Sequence, residues 1–233
     1  MNSLARKAAN AVRAAITACA VALLVITLTA CTAAPNKKSD SPAASTSETQ
    51  QETKKSYRDF VEKDDPYATG KHHATIEVKG YGTITVELNA GVAPITVSNF
   101  AHLAEKGFYD GLTFHRIISG FMIQGGDPNG NGTGGSDMPI KGEFSSNGVN
   151  NTISHTRGVI SMARSQAPNS ASSQFFIMHQ DNHSLDGQYA AFGQVTDGMD
   201  VVDAICRDTQ VEDRNGTVAQ EHQPVITSVK MID

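Results

Sequence analysis

The chain has no tryptophan, only 6% aromatic residues and three cysteines among 233 residues. No run of lysine or arginine exceeds two residues, and the formal net charge is −5. Without a basic stripe, nucleic acid is not expected as a main partner. The length leaves room for one domain with appendages, or at most two small domains. No internal repeat is evident, and no G-x-S-x-G elbow is present to serve a serine hydrolase. Residues Gly130 to Gly135 satisfy G-x-G-x-x-G, yet Ser136-Asp137-Met138-Pro139 does not open the helix that phosphate binding needs, and no Walker lysine follows. The run His179-Gln180-Asp181-Asn182-His183 follows a strand pattern and reads as a polar turn rather than a metal site. His72-His73 sits at the edge of the patterned region and reads as solvated. No metal, nucleotide or other cofactor is implied.

The first thirty residues differ from the rest. They carry Arg6, Lys7 and Arg13 and no acid, followed by the apolar stretch Ala14 to Ala30. This is the form of a secretory signal. It ends Leu28-Thr29-Ala30-Cys31, which resembles the lipobox of bacterial lipoproteins, where the cysteine is lipidated after cleavage just before it. An uncleaved transmembrane anchor is the alternative, and at about 17 residues the run is at the short limit for one. The expectation is a signal over 1–30, a lipid on Cys31 and an extracytoplasmic domain held to the bacterial cell membrane. Cleavage removes three positive charges and takes the formal charge from −5 to −8. Only Cys206 is then a free thiol, and its apolar setting, Val201 to Cys206, reads as buried rather than nucleophilic.

Residues 32–56 are rich in Ser, Thr, Ala, Lys, Gln and Pro and lack apolar periodicity, so they cannot bury enough surface to offset ordering. Residues 31–72 are read as a tether and N-terminal extension, with Tyr57, Phe60, Val61 and Tyr67 available to pack on the domain. About 40 flexible residues reach on the order of 35 Å.

Residues 73–233 form the expected folded domain. Ala74–Val78 and Thr83–Leu88 alternate apolar and polar residues around Lys79-Gly80-Tyr81-Gly82, the pattern of a hairpin with one buried face. Pro94 to Gly107 changes to helical period, with Val97, Phe100, Ala101 and Ala104 on one face. Short strands are expected at 112–117, 121–125, 158–163, 173–178 and 190–195, a second helix at 199–206, and a last strand over Val225–Met231. The fold class is mainly β: a closed antiparallel eight-stranded barrel capped by two short helices.

Two segments carry chemistry. Phe114-His115-Arg116-Ile117-Ile118-Ser119-Gly120-Phe121-Met122-Ile123-Gln124 places a cation near apolar side chains and an amide. Ser173-Gln174-Phe175-Phe176-Ile177 adds a second amide and an aromatic on one strand face, with Phe175 turned to the core. Together they resemble the cyclophilins, the cyclosporin-binding peptidyl-prolyl isomerases, over roughly residues 73–232. The resemblance implies that Arg116 and Gln124 are catalytic. It also implies that His115, Phe121, Met122, Ala163, Arg164, Ser165, Gln174, Phe176, Leu185 and Tyr189 bind a proline-containing polypeptide. Strand alternation puts Met122 and Gln124 on one face and Phe121 on the other, so a shared site requires a distortion at Ser119–Gly120.

The chemistry is consistent with these residue types. Resonance opposes rotation about a peptide bond by about 18–20 kcal/mol, and even X–Pro bonds exchange over tens of seconds or more. A catalyst needs no covalent step if it holds the proline and donates to a nitrogen that becomes pyramidal. Guanidinium does so without deprotonating. Two departures matter. Eukaryotic cyclophilins usually have tryptophan where this chain has Ser184 and histidine where it has Tyr189, so weak cyclosporin binding is expected. The run Met162-Ala163-Arg164 is similar to bacterial members, with Arg164 in place of an asparagine. A non-catalytic peptide-binding or chaperone module of the same fold is the alternative, as is a secreted scaffold.

Overall fold

The structure is a computed structural model that describes residues 56–233. The expected signal segment, Cys31 and the tether through residue 55 lie outside the described residues.

The hairpin forms as its alternation requires. Strand β1 (Lys71–Val78) pairs with β2 (Gly82–Asn89) in register from Lys71 against Asn89 to Val78 against Gly82. Ala74, Ile76, Val78, Ile84, Val86 and Leu88 all point into the core. Helix α1 (Pro94–Glu105) follows and buries Val97, Phe100, Ala101 and Ala104. Ala93 offers no side-chain cap to this helix. Instead the Glu143 carboxylate accepts from the backbone N–H of Ile95 (3.1 Å) and Thr96 (2.7 Å) and from the Thr96 hydroxyl (2.6 Å). A remote acid thus satisfies the open N–H groups and complements the helix dipole.

Strands β3 (Phe114–Ile118), β4 (Met122–Gly125), β5 (Val159–Met162), β6 (Phe175–Met178), β7 (Ala191–Asp197) and β8 (Ile226–Met231) complete one antiparallel sheet, with α2 (Met199–Asp208) between β7 and β8. The order is β3-β4-β6-β5-β7-β2-β1-β8. Register shifts interrupt four of its ladders, between Glu77 and Val78, Thr85 and Val86, Phe114 and Arg116, and Ile160 and Ser161. Such bulges bend and twist a sheet, and this one curls into a half-barrel.

The expected closed barrel is corrected here. β3 and β8 end the order and share no ladder. They meet at a single bridge, Thr113 against Val225, beside which Phe114 N–H donates to Pro224 O at 2.9 Å. Pro224 has no N–H to return, so pairing stops. The rest of the β3 edge is taken by a loop: Ile117 N–H donates to Gly216 O (2.8 Å) and Val218 N–H to His115 O (3.1 Å).

Part of the N-terminal extension joins the domain through its backbone. Arg58 N–H donates to Pro139 O and Lys141 N–H to Arg58 O, each at 2.8 Å. Ile140 in turn donates to Ala171 O at 2.8 Å. Tyr67 is buried, and its hydroxyl donates to Glu105 at 2.7 Å.

The sheet separates two apolar clusters. The larger fills the inside of the curl and includes Phe100, Tyr109, Phe114, Phe175 and Phe192. The smaller lies on the other face, where Met122, Val159, Phe176, Met178 and Ala191 are joined by Phe121, Ala163, Leu185 and Tyr189. Alternation along β6 places Phe175 and Ile177 in the first cluster and Phe176 and Met178 in the second.

Candidate active site

The smaller cluster floors a recess of about 230 Å³ lined by Arg116, Phe121, Met122, Gln124, Ala163, Arg164, Phe176, Leu185 and Tyr189. How Arg116 reaches it is a matter of register. In a regular strand Phe114 and Arg116 would share a face. The shift after Phe114, which pairs Phe114 with Gly125 and Arg116 with Gln124, breaks that alternation. Phe114 and Ile117 turn into the core, and Arg116 stands with Met122 and Gln124. Gly125 permits it, because a Cβ there would lie 2.7 Å from Thr113 O and 2.9 Å from the Phe114 ring.

Arg116 is held at two points. Its Nε donates to Asn215 O at 2.8 Å, and its Nη1 to Gln124 Oε1 at 3.2 Å, with Met122 Sδ at 4.0 Å. Nη2 makes no hydrogen bond among the described residues. Burial lowers the guanidinium pKa from its ordinary value, with Tyr189 and Asp213 acting against that shift, and an arginine so far above neutrality stays charged. Gln124 passes the order on: its Nε2 donates to Gln174 Oε1 (2.9 Å), and Gln174 Nε2 donates to Gly134 O (2.8 Å). A chain of amides therefore fixes both Gln124 and Gln174 before anything binds.

The distortion at Ser119–Gly120 is the turn of the β3–β4 hairpin. Ile118 pairs with Met122, Phe121 N–H donates to Ile118 O at 2.9 Å, and Gly120 takes a φ of 81°. Phe121 belongs to the turn and not to the strand, which lets it sit beside Met122. His179 braces the turn by accepting from Gly120 N–H at 2.8 Å.

Four residues that sequence reasoning missed, Ser154, His155, Ser161 and Asp186, hold the opposite wall. The buried His155 ring stacks on Phe176 at 6.0 Å between centroids and 17° between planes. Its Nδ1 lies 2.9 Å from Asp186 Oδ1 and its Nε2 3.1 Å from Ser161 Oγ. Asp186 also accepts from His155 N–H (2.7 Å) and the Ser154 hydroxyl (2.6 Å). Burial alone would raise the Asp186 carboxyl, but these bonds together hold it well below the usual carboxylate range. Burial keeps His155 below its ordinary value despite Asp186. The group fixes Phe176 from behind and Leu185 through its chain neighbour. Tyr189 meets Phe176 edge-on at 5.7 Å.

Other expected residues lie nearby. Arg164 spends its donors on Gln188 O (Nε 3.0 Å, Nη2 2.8 Å) and Ser165 O (Nη1 2.9 Å), between the rings of Phe144 and Tyr189. Ser165 and Gln174 line an adjoining recess with Ala163 and Arg164. His115, at 5% exposure, faces away from the apolar recess and lines a third cavity. The glycine run 130–135 is a loop bordering these recesses, organised by Asp127, which accepts from the N–H groups of Asn129, Asn131 and Gly132. Cys206 is buried, and burial pushes its thiol up to about 12.

A guanidinium with one free nitrogen, set against Phe, Met and Leu and steadied by amides, suits an apolar ring attached to a polar amide. A sequence model of the family "Cyclophilin type peptidyl-prolyl cis-trans isomerase/CLD" matches residues 73–231. This chain belongs to the cyclophilin-type peptidyl-prolyl cis-trans isomerases. A fungal relative from Rhizopus delemar, peptidyl-prolyl cis-trans isomerase-like 1, is 49% identical over 122 residues, 52% of this chain and 72% of the relative. A bacterial one, peptidyl-prolyl cis-trans isomerase B of Bacillus subtilis, is 47% identical over 117 residues, 50% and 78% of the two chains. The solved cyclophilin type isomerase of Cryptosporidium parvum, crystallised in the presence of the dipeptide Ala-Pro, superposes with a TM-score of 0.61. That match is 30% identical and covers 69% of this chain and 99% of that one. The cyclophilin match begins at residue 73, so Arg58, which bridges to Ile140 inside the match, lies outside it.

Proposed function

We propose that this cyclophilin accelerates rotation about X–Pro bonds without a covalent step, with Arg116 donating from Nη2 to the prolyl nitrogen as it becomes pyramidal. The proline ring enters the recess walled by Phe121, Met122, Phe176 and Leu185, and Gln124 and Gln174 bond the flanking backbone. Ala163, Arg164 and Ser165 border the chain before the proline, as an added strand would require. The single observation that supports this most is the two-point tether of Arg116, which leaves its remaining nitrogen without a partner among the described residues at the edge of an apolar recess. A donor preorganised where charge develops is worth most in a partly desolvated cleft.

The clients in this reading are proline-containing segments of secreted or cell-envelope proteins, met outside the cytoplasm by a domain anchored through lipid on Cys31. The charge pattern of residues 1–30 and the Leu28–Cys31 motif support that anchor. Among the described residues no helix is long and apolar enough to cross a membrane. Cyclosporin is bound weakly and nucleic acid is not a partner. Comparing isomerisation of a proline tetrapeptide by the wild type and Arg116→Ala tests the reading. A loss of roughly 100-fold is expected, and equal rates would overturn it.

A further inference from the structure

His179 opens a run that reads from sequence as a polar turn, yet only 14% of its side chain is exposed. It follows directly on β6 and grips the hairpin turn that carries Phe121. The grip falls on both members of one residue pair. The backbone N–H of His179 donates to Phe121 O at 2.8 Å, and its Nδ1 accepts from Gly120 N–H at 2.8 Å. The turn's own bond, Phe121 N–H to Ile118 O, and a longer one from Gln180 N–H to Phe121 O at 3.4 Å complete the set. Packing adds little on the outer side. Ser119 and Gly120 are exposed, and a Cβ placed on Gly120 would meet no atom within 4 Å. The position of the turn therefore depends on hydrogen bonds, one of which needs a bare imidazole nitrogen.

Gly120 N–H can donate only to a nitrogen without a proton, so the ring's own N–H is on Nε2. Nε2 lies 3.2 Å from Asp203 Oδ1 on α2. Arg157 fixes that carboxylate: its Nη2 lies 2.8 Å from Oδ1 and donates to Oδ2 at 2.9 Å, while its Nη1 donates to His179 O at 2.8 Å. A carboxylate beside Nε2 favours the proton there and leaves Nδ1 bare for Gly120. The tautomer that holds the turn is thus selected from α2.

We propose that His179 is a positioning residue for isomerisation: it sets affinity for the proline ring by placing Phe121 in the recess wall, with Asp203 and Arg157 fixing the tautomer this needs. Phe121 precedes β4, so the turn places it rather than the ladder. The wall meets the proline ring alike before and during rotation, so the contribution is uniform binding and appears in KM rather than in kcat. The inference rests on the proline-recess reading, because Phe121 matters to affinity only if the ring enters there.

The test compares three substitutions in the full-length protein on a proline peptide. His179→Asn puts an amide oxygen where Nδ1 stands and keeps the acceptor for Gly120. His179→Gln extends its amide toward Asp203, at the place of Nε2, and loses that acceptor. His179→Leu keeps the bulk and neither bond. The Gln and Leu variants should raise KM by roughly 3- to 10-fold, the range of one lost hydrogen bond, with kcat within about twofold. The Asn variant should keep KM within about twofold of the wild type. Hydrogen exchange should find the Gly120 amide protected in the wild type and in Asn, and fast in Gln and Leu. An unchanged KM in Gln and Leu, a loss in Asn as large as in Leu, or a fall in kcat alone would overturn the proposal. So would a wild-type Gly120 amide that exchanges like an unstructured one, which needs no substitution to fold. Phe121→Ala separates this inference from the reading beneath it. A raised KM there beside a flat His179 series sinks the His179 inference alone, and a flat KM in both sinks the recess reading too.

Discussion

Arg116 and Gln124 owe their meeting to a residue that does no chemistry. The bulge after Phe114 turns Arg116 out of the core-facing series, and Gly125 leaves room for the Phe114 ring at that point. The residue types were legible in the sequence, since Arg116, Met122, Gln124, Gln174 and Phe176 all stand in motifs similar to the family's. The bulge was not, because it depends on a cross-strand partner. His155 and Asp186 were missed for the same reason: they are 31 residues apart, and nothing local marks them as a pair. Both buried histidines have consequences for stability. Burial holds His155 and His115 below their ordinary value near 6.5. Their stabilising contribution is therefore fully present above that pH. As pH falls below 6.5 the unfolded chain takes up protons that the folded one refuses, and stability drops, by at most about 1.4 kcal/mol per pH unit per histidine, until the folded-state pKa is reached. Asp186 does not interfere, because its depressed pKa removes stability only at more acid pH. Urea unfolding at pH 7.5 and 5.5 should show the drop, and His155→Gln should reduce it to the part that His115 contributes. A wild-type stability independent of pH across this window would contradict the account. Ser184 gives another expectation at this scale. Its hydroxyl donates to Asn182 Oδ1 at 2.6 Å and it does not line the recess. Isomerisation should therefore resist cyclosporin at nanomolar concentrations, and nanomolar inhibition would refute the point.

Among the elements, the strands and both helices fall within a few residues of their sequence-based expectation, because alternation and Pro–Gly punctuation mark them. What alternation cannot show is which edges meet. The expected closure between β3 and β8 fails where Pro224 withholds a donor and the 216–218 loop takes the edge of β3 instead. The pairing of Arg58 with Pro139–Lys141 was equally invisible, since no periodic pattern surrounds it. That pairing supports Ile140, which donates to Ala171, and Ala171 lies between Ser170 and Ser172 of the recess beside the proline site. Arg58→Pro removes two donors, the backbone N–H to Pro139 O and the guanidinium Nη2 to Asn99 Oδ1, and should cost about 2 kcal/mol. Hydrogen exchange should then show Lys141 and Ile140 losing protection while the amides of β4 and β6 keep theirs. Unchanged protection at Lys141 would mean that the extension adds nothing to the domain.

At the scale of the molecule, the charge asymmetry of the first thirty residues, the Leu28–Cys31 motif and the polar stretch after it support a domain working above a membrane. If so, mass spectrometry of the protein from a lipidating bacterial host should find Cys31 as the modified first residue, and Cys31→Ala should release the protein from the membrane fraction. An intact Met1 terminus or a soluble wild type would exclude the lipid anchor. The enzymatic account stands apart from that outcome, because it depends only on residues 73–233.

The most direct test of that account separates kcat from KM for Arg116→Ala on a proline peptide, with circular dichroism confirming the fold. A donor that acts on the twisted amide contributes in the transition state, so kcat should fall by roughly 100-fold while KM stays within about twofold. A raised KM with unchanged kcat would show that Arg116 only holds the substrate, and would contradict the proposed mechanism.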